Sequence, residues 1–425
     1  MIDSFVPYKS PGMDGIFPAL LQEGQEVLIP YLVRIFCACL ANGYTWRQVK
    51  LVFIPKPGRN SYCGPRDFTP ISLTSFLLKT LERLVDRFQR DEILALKPLH
   101  PNQHAYQAGK SVETATHQLV VRVEKALDQQ EITLGIFLDT EEAFNNTSYD
   151  STCTALTKHG IYHTIVQWIR ATLDGQQATV ALGGFSRSVV VSRDWPQGGV
   201  PSPLLWCLVV NELLARLNVG GVYSQGYADD ICLPEVGKFP NMVSGLMQWA
   251  LHTTKAWCDE LGLSVNPDKT RPVAFMGRRK LPGFFEPHLF GATLHRSISV
   301  KYLQVILDSW LTWREHVDVK ARKAQNLSWA CRIIRPSVTF PSFIWWSGCQ
   351  TASAKKKLSR IQRLACLWIT EAMYTTPTNA VEALNCLPPL ELVVLSEART
   401  TVHHLWSLGC WSYLHPKRGH SSILM

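Results

Sequence analysis

A short apolar run that ends in a carboxylate restricts the fold of this 425-residue chain more than any other feature. The run LGIFLD at 134–139 has the length of a strand and contains no charged residue before Asp139. Because continuous apolar runs of this length are typical of strands buried on both faces, we predict a central strand here. A second apolar stretch follows Asp229 and Asp230 in QGYADDICL at 225–233, which predicts a hairpin with these aspartates at its tip.

The three aspartates of these two stretches indicate a cation site. Two adjacent carboxylates repel each other and lose hydration when the fold hides them, unless a positive charge lies between them. Carboxylates on neighbouring strand ends can converge on one point, and hard oxygen ligands suit Mg²⁺. Two such ions about 3.5–4 Å apart can activate a 3′-hydroxyl and stabilise a leaving pyrophosphate. Taken singly, YADD is also compatible with a solvated turn and Asp139 with a strand-end cap.

The rest of the chain alternates helix and strand patterns in the manner of an α+β protein. Helical periodicity occurs at 31–40, 76–90, 112–129, 203–217 and 249–261. Strand patterns occur in VFIPKPG at 52–58, twice within 178–192, in PVAFMG at 272–277 and in VKYLQVIL at 300–307. Beyond residue 314 helix patterns dominate, with basic clusters at 320–323 and 355–357. We therefore predict a helical first third, a mixed middle and a helical last quarter.

Charge and cysteine usage narrow the classes of function. The chain has 43 Lys and Arg against 34 Asp and Glu, a net charge of +9, which favours a polyanionic partner. Its twelve cysteines include no CxxC pair, so we expect buried free thiols rather than zinc sites or disulfides. No signal peptide opens the sequence, and the longest apolar block, at 203–210, is too short to span a bilayer. We expect a soluble intracellular protein.

The order of the motifs resembles the reverse transcriptase domain of non-LTR (LINE-type) retrotransposons of the jockey and R1 type. Ordered segments carry the resemblance: KSPGMDGIFP at 9–18, PKPG at 55–58, PISLTSFLLKTLERL at 70–84, QHAYQAGKSVETA at 103–115, FLDTEEAFNNTSYDS at 137–151, PQGGVPSPLLWCLVVNELL at 196–214, GYADD at 226–230, LSVNPDKT at 263–270 and KYLQVILD at 301–308. The resemblance implies an α+β right-hand polymerase, with fingers over 1–130, a palm over 131–313, and a helical thumb and the start of a connection over 314–425.

The resemblance also implies the roles of individual residues. Asp139, Asp229 and Asp230 match the palm carboxylates that bind two Mg²⁺ ions and carry catalysis. Four groups of positions then surround the nucleotide and primer: Phe144 as the aromatic that excludes a ribose 2′-hydroxyl, Gln197 and Gly198 in the loop near the incoming nucleotide, Lys56 and Lys269 as cations for the triphosphate, and Tyr227 near the primer end. A plain core role for Phe144, and an exposed surface role for the lysines, remain open from the residues alone.

The partners implied are an RNA template, a DNA primer and a dNTP, with action in the nucleus if the protein works in retrotransposition. The lysines beyond residue 314 match a thumb that follows the phosphates of a duplex. The same lysines are also compatible with a solvated helix face. We expect neither an endonuclease nor an RNase H domain within these residues.

Several positions depart from the family pattern. Thr69 replaces the arginine of the family's RPISL motif, Pro201 replaces a leucine after PQGG, and Gln304 replaces a glycine at a turn. Glu142 and Asn145 are further departures, and the thumb is shorter near 331–346. Two interpretations therefore stand: a working RNA-directed DNA polymerase domain, or a decayed retroelement fragment that at most binds nucleic acid. A mobile-intron enzyme is a third interpretation, but such an enzyme would not carry SLTSFLLKTLERL.

Overall fold

The computed structural model describes residues 1–56, 61–64, 67–140, 147–182, 185–191, 199–277, 285–326, 341–370, 373–385 and 387–411. The chain forms two compact units, each built from separated segments. The first unit contains Met1–Tyr106, Thr140–Arg216 and Thr253–Val265. The second contains Gln107–Asp139, Leu217–His252 and Asn266–Met425.

The described helices are listed here in chain order: α1 Pro18–Glu23, α2 Gln25–Asn42, α3 Phe76–Phe88, α4 Leu94–Leu96, α5 Val112–Asp128, α6 Tyr149–His159, α7 His163–Leu173, α8 Ser202–Val219, α9 Pro240–Leu261, α10 Arg314–Asn326, α11 Ser342–Trp345, α12 Ala352–Thr370, α13 Thr378–Leu384 and α14 Leu390–Ser407. The strands are β1 Gln48–Pro55, β2 Phe68–Leu73, β3 Ile132–Asp139, β4 Gln176–Leu182, β5 Phe185–Val191, β6 Gln225–Tyr227, β7 Asp230–Gly237, β8 Arg271–Phe275, β9 His288–Leu289, β10 Ala292–Thr293, β11 Ser299–Tyr302 and β12 Val305–Asp308.

The sheet of the first unit has the strand order β2-β1-β4-β5. Strands β1 and β2 are antiparallel, as are β4 and β5, whereas β1 and β4 are parallel over Gln48–Lys50 and their partners at 177–179. Helix α3 has a strongly amphipathic pattern, and Ser75 caps its first turn by accepting a hydrogen bond from the Leu77 N–H. Its apolar face, which includes Leu78 and Leu81, is buried.

The second unit is organised around β3. The order β6-β7-β3-β8 is antiparallel throughout, with β3 between β7 and β8. Leu134, Ile136 and Leu138 point to one face of the strand, with Gly135 and Phe137 on the other. Every residue from Thr133 to Leu138 is buried, which confirms the predicted central strand. Helix α5 lies against β3 and β7, and its Leu119, Val120 and Val123 join Phe137 and Phe275 in one core.

The run VKYLQVIL forms two strands rather than one. Strands β11 and β12 pair with Tyr302 opposite Val305, so Leu303 and Gln304 form a two-residue turn. Both residues have left-handed backbones, with φ values of 46° and 69°. A turn with positive φ at both central positions is the type that fits tight hairpins, and it normally contains Asn-Gly. The chain bends here without the usual sequence signal, which is why the pattern predicts a single strand.

Helix α2 is the one described helix that is long and apolar enough, by length and composition alone, to cross a membrane. Leu32, Phe36 and Cys39 form its buried stripe within the first unit. The opposite face exposes apolar side chains such as Val27, Tyr31 and Val33.

Candidate active site

The structure brings the three predicted carboxylates to one edge of the second unit's sheet. Asp139 ends β3, and its cross-strand partner is Asp230, the first residue of β7. Asp229 precedes Asp230 in the turn of the β6–β7 hairpin, where Tyr227 faces Asp230. Directly opposed residues of an antiparallel pair have Cβ atoms about 4.5–5.5 Å apart. Residues ninety positions apart in sequence therefore form one acidic edge.

The hairpin that carries Asp229 turns in two residues, Ala228 and Asp229. Ala228 has φ 53°, in the left-handed region that residues with a Cβ rarely adopt. Two-residue hairpin loops need a positive φ at their first central position, which is why glycine is common there. Alanine, the smallest residue with a Cβ, adopts this conformation at a cost of about 1 kcal/mol. The tip of the hairpin therefore holds backbone strain beside two carboxylates.

The carboxylates at this edge repel one another when no cation is present. The pKa of Asp230 is raised to about 6, first by loss of hydration and then by the charges of Asp229 and Asp139. Asp230 keeps contact with solvent, but the protein packed around it displaces part of its water. Like charges this close favour protonation of one of them. The site is therefore built to gain from a positive charge.

Lys269 supplies one such charge. Its Nζ lies 3.0 Å from Oδ2 of Asp139, and both side chains are partly exposed. The turn that carries Lys269 is held by Asn266, whose backbone N–H donates to the Asp139 carbonyl at 3.0 Å. The Asn266 side-chain oxygen accepts from the N–H groups of Asp268 and Lys269, and this local turn orients the lysine. Lys269 thus belongs to the carboxylate edge, where the sequence predicted a cation.

The fit of this edge to a divalent metal can be judged from its donors. Among the residues that the structure describes, no group of three His, Cys, Asp or Glu side chains is close enough to hold an ion as it stands. Two carboxylates are direct cross-strand neighbours, a third adjoins them, and an ammonium group already binds one of them. Carboxylate oxygens are the ligands that Mg²⁺ selects, and that ion usually binds through one or two carboxylates together with water and phosphate. The edge therefore offers oxygen ligands of the kind that a divalent metal takes, with water and substrate phosphate left to complete the set.

The remaining predicted positions are divided between the two units and the residues that are not described. Tyr227 lies on β6, half-buried, and its pKa is raised by burial and then by Glu113. Lys56 follows β1 in the first unit, is exposed, and donates its backbone N–H to the Asp67 carbonyl at 2.8 Å. Phe144, Gln197 and Gly198, together with the departures Glu142 and Asn145, lie outside the described residues.

Two of the family departures have clear settings in the first unit. Thr69 lies on β2 opposite Ile54, so a neutral side chain occupies the place of the family's arginine. Pro201 directly precedes α8, and its carbonyl accepts from the Leu205 N–H at 2.9 Å. Because a residue just before a helix needs no N–H for the helix, proline costs no hydrogen bond within α8. The departure at 201 is thus compatible with the start of α8.

The basic residues of α10 and α12 belong to the second unit and are partly neutralised. Lys357 forms an ion pair with Asp318. Burial lowers the pKa of Lys320, and the neighbouring charges of Lys323 and Lys301 lower it further. Arg322 and Arg360 line an open groove of about 380 Å³ between these helices. A mixed surface of this kind has fewer free cations than the sequence clusters indicate.

A family described as reverse transcriptase (RNA-dependent DNA polymerase) matches residues 54–307. A probable RNA-directed DNA polymerase from transposon BS of Drosophila melanogaster is 28% identical over 384 residues, covering 84% of this chain and 42% of that protein. A putative 115 kDa protein in the type-1 retrotransposable element R1DM of Drosophila melanogaster is 24% identical over 410 residues, covering 90% and 39%.

A third relative is the RNA-directed DNA polymerase from mobile element jockey of Drosophila funebris, which is 26% identical over 331 residues, covering 75% of this chain and 35% of that protein. The resemblance to the jockey and R1 type is confirmed. The chain spans about two fifths of the length of these curated relatives.

Proposed function

The chain belongs to the reverse transcriptase (RNA-dependent DNA polymerase) family and has its α+β right-hand polymerase fold, and on that premise we propose that the acidic edge adds deoxynucleotides to a primer on an RNA template. The substrates are a dNTP and a primer 3′-hydroxyl, and the products are an extended primer and pyrophosphate. The fingers, palm and thumb are proposed to follow the boundaries 1–130, 131–313 and 314–425. In retrotransposition this reaction would take place in the nucleus.

One observation carries the proposal. Asp139 and Asp230 are cross-strand partners, and Asp229 adjoins them in the hairpin turn. A polymerase needs several carboxylates at one point, whereas a strand-end cap or a solvated turn needs neither the pairing nor the raised pKa of Asp230.

Asp139, Asp229 and Asp230 would hold divalent metal, and the fit of the donors supports two Mg²⁺ ions. Bound at these carboxylates, the ions would activate the 3′-hydroxyl and stabilise charge on the leaving pyrophosphate. The protein's own contribution begins with the protonation state of Asp230. Asp230 must be ionised to act as a ligand, so metal affinity should rise as the pH rises through about 6.

Lys269 is proposed to exchange partners during the reaction. In the structure its ammonium group neutralises Asp139. With a metal held by Asp139, the ammonium group of Lys269 would instead be available to the triphosphate, which brings negative charge. Tyr227 would support the primer end from the neighbouring strand, and Lys56 keeps the triphosphate-binding role that the resemblance implies. Phe144, Gln197 and Gly198 keep the nucleotide-binding roles that the resemblance implies.

We also propose that this chain works well below the rate of an undamaged relative. Thr69 provides no charge where the family places an arginine, and one charge-assisted contact is worth about 1.5–3 kcal/mol. Gln304 adopts φ 69° in a turn where the family has glycine. Both observations support the reading of a decaying copy, while the three intact carboxylates support residual chemistry.

Primer extension tests the proposal. The chain should extend oligo(dT) on poly(rA) slowly in the presence of Mg²⁺, and EDTA should stop the extension. Thr69→Arg should increase incorporation by one to two decades, because it restores a charged contact. Lys50→Arg, which changes a lysine elsewhere on the same sheet, is the matched control and should have no effect. Extension that survives Asp229→Asn would overturn the assignment of the site.

A further inference from the structure

A buried polar network lies behind the catalytic hairpin. Gln225, the first residue of β6, is fully buried although its side chain is an amide. Its Nε2 donates to the Ala115 carbonyl and to the Tyr302 hydroxyl, both at 3.1 Å. Its Oε1 accepts from the Tyr223 hydroxyl at 3.3 Å. Both amide hydrogens and the amide oxygen of Gln225 therefore have partners, and those partners lie on different elements.

Tyr302 reaches this network from β11, seventy-seven residues later in the chain. Its side chain is almost completely buried, and its ring packs against Phe137 with centroids 5.2 Å apart. Burial raises the pKa of Tyr302 far above its usual range, so the hydroxyl stays neutral at any working pH. Phe137 lies two residues before Asp139 on β3. A single side chain thus contacts the strand of one catalytic carboxylate and the hairpin of the other two.

We propose that Tyr302 and Gln225 are positioning residues, which set the spacing between the β3 strand end and the β6–β7 hairpin tip. This inference rests on the proposed function, because the spacing matters for catalysis only if the carboxylates share metal. Neither residue touches the reacting atoms. Gln225 faces Cys232 on β7, and Tyr227 faces Asp230 two residues further along β6. A shift of Gln225 therefore moves both strands of the hairpin together.

The hydroxyl group, rather than the ring, carries the proposal. Removing it leaves one N–H of Gln225 without an acceptor in a buried place, which is unfavourable enough to make the amide turn or water enter. The hairpin already holds strain at Ala228, so loss of its support favours relaxation of the tip. The same hydroxyl plays no part in the packing of Phe137, which uses the ring.

The test compares Tyr302→Phe with Val300→Ala, a buried residue on the same face of β11 that loses packing but no hydrogen bond to Gln225. Hydrogen exchange of the amides at 226–231 should become about tenfold faster in Tyr302→Phe and stay unchanged in Val300→Ala. The dissociation constant for Mn²⁺, measured by electron paramagnetic resonance, should rise about tenfold in Tyr302→Phe only. In primer extension, kcat should fall about tenfold while KM for dTTP stays within about twofold.

The double variant Gln225→Met with Tyr302→Phe should bind Mn²⁺ no more weakly than Tyr302→Phe alone, because the unsatisfied amide is gone. Equal effects of Val300→Ala and Tyr302→Phe on exchange at 226–231 would overturn the proposal, since packing alone would then explain them. An unchanged exchange rate in Tyr302→Phe would also overturn it. A wild-type chain that neither binds Mn²⁺ nor extends a primer would instead contradict the proposed function, while hydrogen exchange still decides the positioning role.

Discussion

The β6–β7 and β11–β12 hairpins both turn in two residues, but they differ in backbone conformation and in the side chains that they carry. Each reverses direction in two residues, and each holds a residue with a Cβ in the left-handed region. In β6–β7 the strained residue is Ala228, and the turn presents Asp229 and Asp230. In β11–β12 the strain lies at Leu303 and Gln304, and Gln304 is exposed without a described contact.

The two hairpins differ in whether the strained backbone lies next to the carboxylates of the acidic edge. Strain that persists at a functional site is held in place by the surrounding structure, and β6–β7 has that support in Gln225 and its partners. No described contact of the Gln304 side chain supports its turn in the same way. Relaxing the β6–β7 turn should therefore lower activity, whereas relaxing the β11–β12 turn should not, even where both changes stabilise the fold.

The largest effect is expected at the carboxylates of the acidic edge, which lie on the β6–β7 hairpin and on the neighbouring strand β3. Asp139→Asn should lower the rate of primer extension by at least about a thousandfold, because it removes a metal ligand and a partner of Lys269. Asp268→Asn, an exposed change in the adjacent turn, should leave the rate within about twofold. Comparable losses in the two variants would mean that Asp139 has no special role.

A second effect follows from the raised pKa of Asp230. The folded chain takes up this proton at about pH 6 and the unfolded chain near 3.8, so stability falls as the pH rises between these values. At pH 7 without metal, Asp230→Asn should therefore stabilise the fold by about 1 kcal/mol, after allowance for solvent screening of this exposed group. The gain should vanish below pH 3.8.

Urea unfolding of both proteins at several pH values in EDTA measures this difference. A gain of equal size at pH 3.5 and pH 7 would rule out repulsion among the carboxylates as its cause. Added Mg²⁺ should stabilise the wild type and leave Asp230→Asn nearly unchanged, since the variant has lost a ligand.

The comparison of the two turns predicts a smaller effect. Gln304→Gly should raise the free energy of unfolding by about 0.5–1 kcal/mol, because glycine adopts φ 69° without strain. Ala228→Gly should give a similar gain but lower kcat, since a flexible tip holds Asp229 and Asp230 less firmly. Denaturant unfolding and primer extension, run on both variants, measure the two quantities. An Ala228→Gly variant with unimpaired kcat would show that strain at the tip has no function.

The smallest effect belongs to the ion pair of Lys269 and Asp139. Both side chains are largely exposed, so Lys269→Ala should lower the free energy of unfolding by at most about 0.5 kcal/mol. The loss should disappear in 1 M salt, where exposed pairs are screened. A loss that persists in high salt would indicate that the lysine stem contributes through packing instead.

The sequence predicted the parts of the fold that depend on local patterns. The apolar run before Asp139 indicated β3, and the apolar stretch after Asp229 and Asp230 indicated the hairpin, because burial in a strand selects apolar residues directly. Helical periodicity over 76–90 indicated α3, which spans Phe76–Phe88.

Contacts between residues that are distant in sequence could not be predicted from local patterns. Gln225 and Tyr302 are an ordinary polar residue and an ordinary strand tyrosine until the fold brings them together. Asn266 lies within the LSVNPDKT segment at 263–270. The Asn-Pro-Asp turn signal at 266–268 was the available clue to its role. The turn at Gln304 was expected from the family resemblance, whereas the apolar pattern of 300–307 predicted a single strand, because Leu303 and Gln304 are residues that rarely adopt this conformation.

The interleaving of the two units has a consequence for how the protein is made. The first unit is complete only when Thr253–Val265 has been synthesised, and the second needs Asn266 and the residues after it. At roughly 5–20 residues per second, strand β1 waits many seconds for its parallel partner β4, and the unit waits longer still for its last segment. Apolar surface on the nascent chain stays open during that interval, so a ribosome-bound chaperone is expected to improve the yield of this protein more than that of a chain whose domains are continuous.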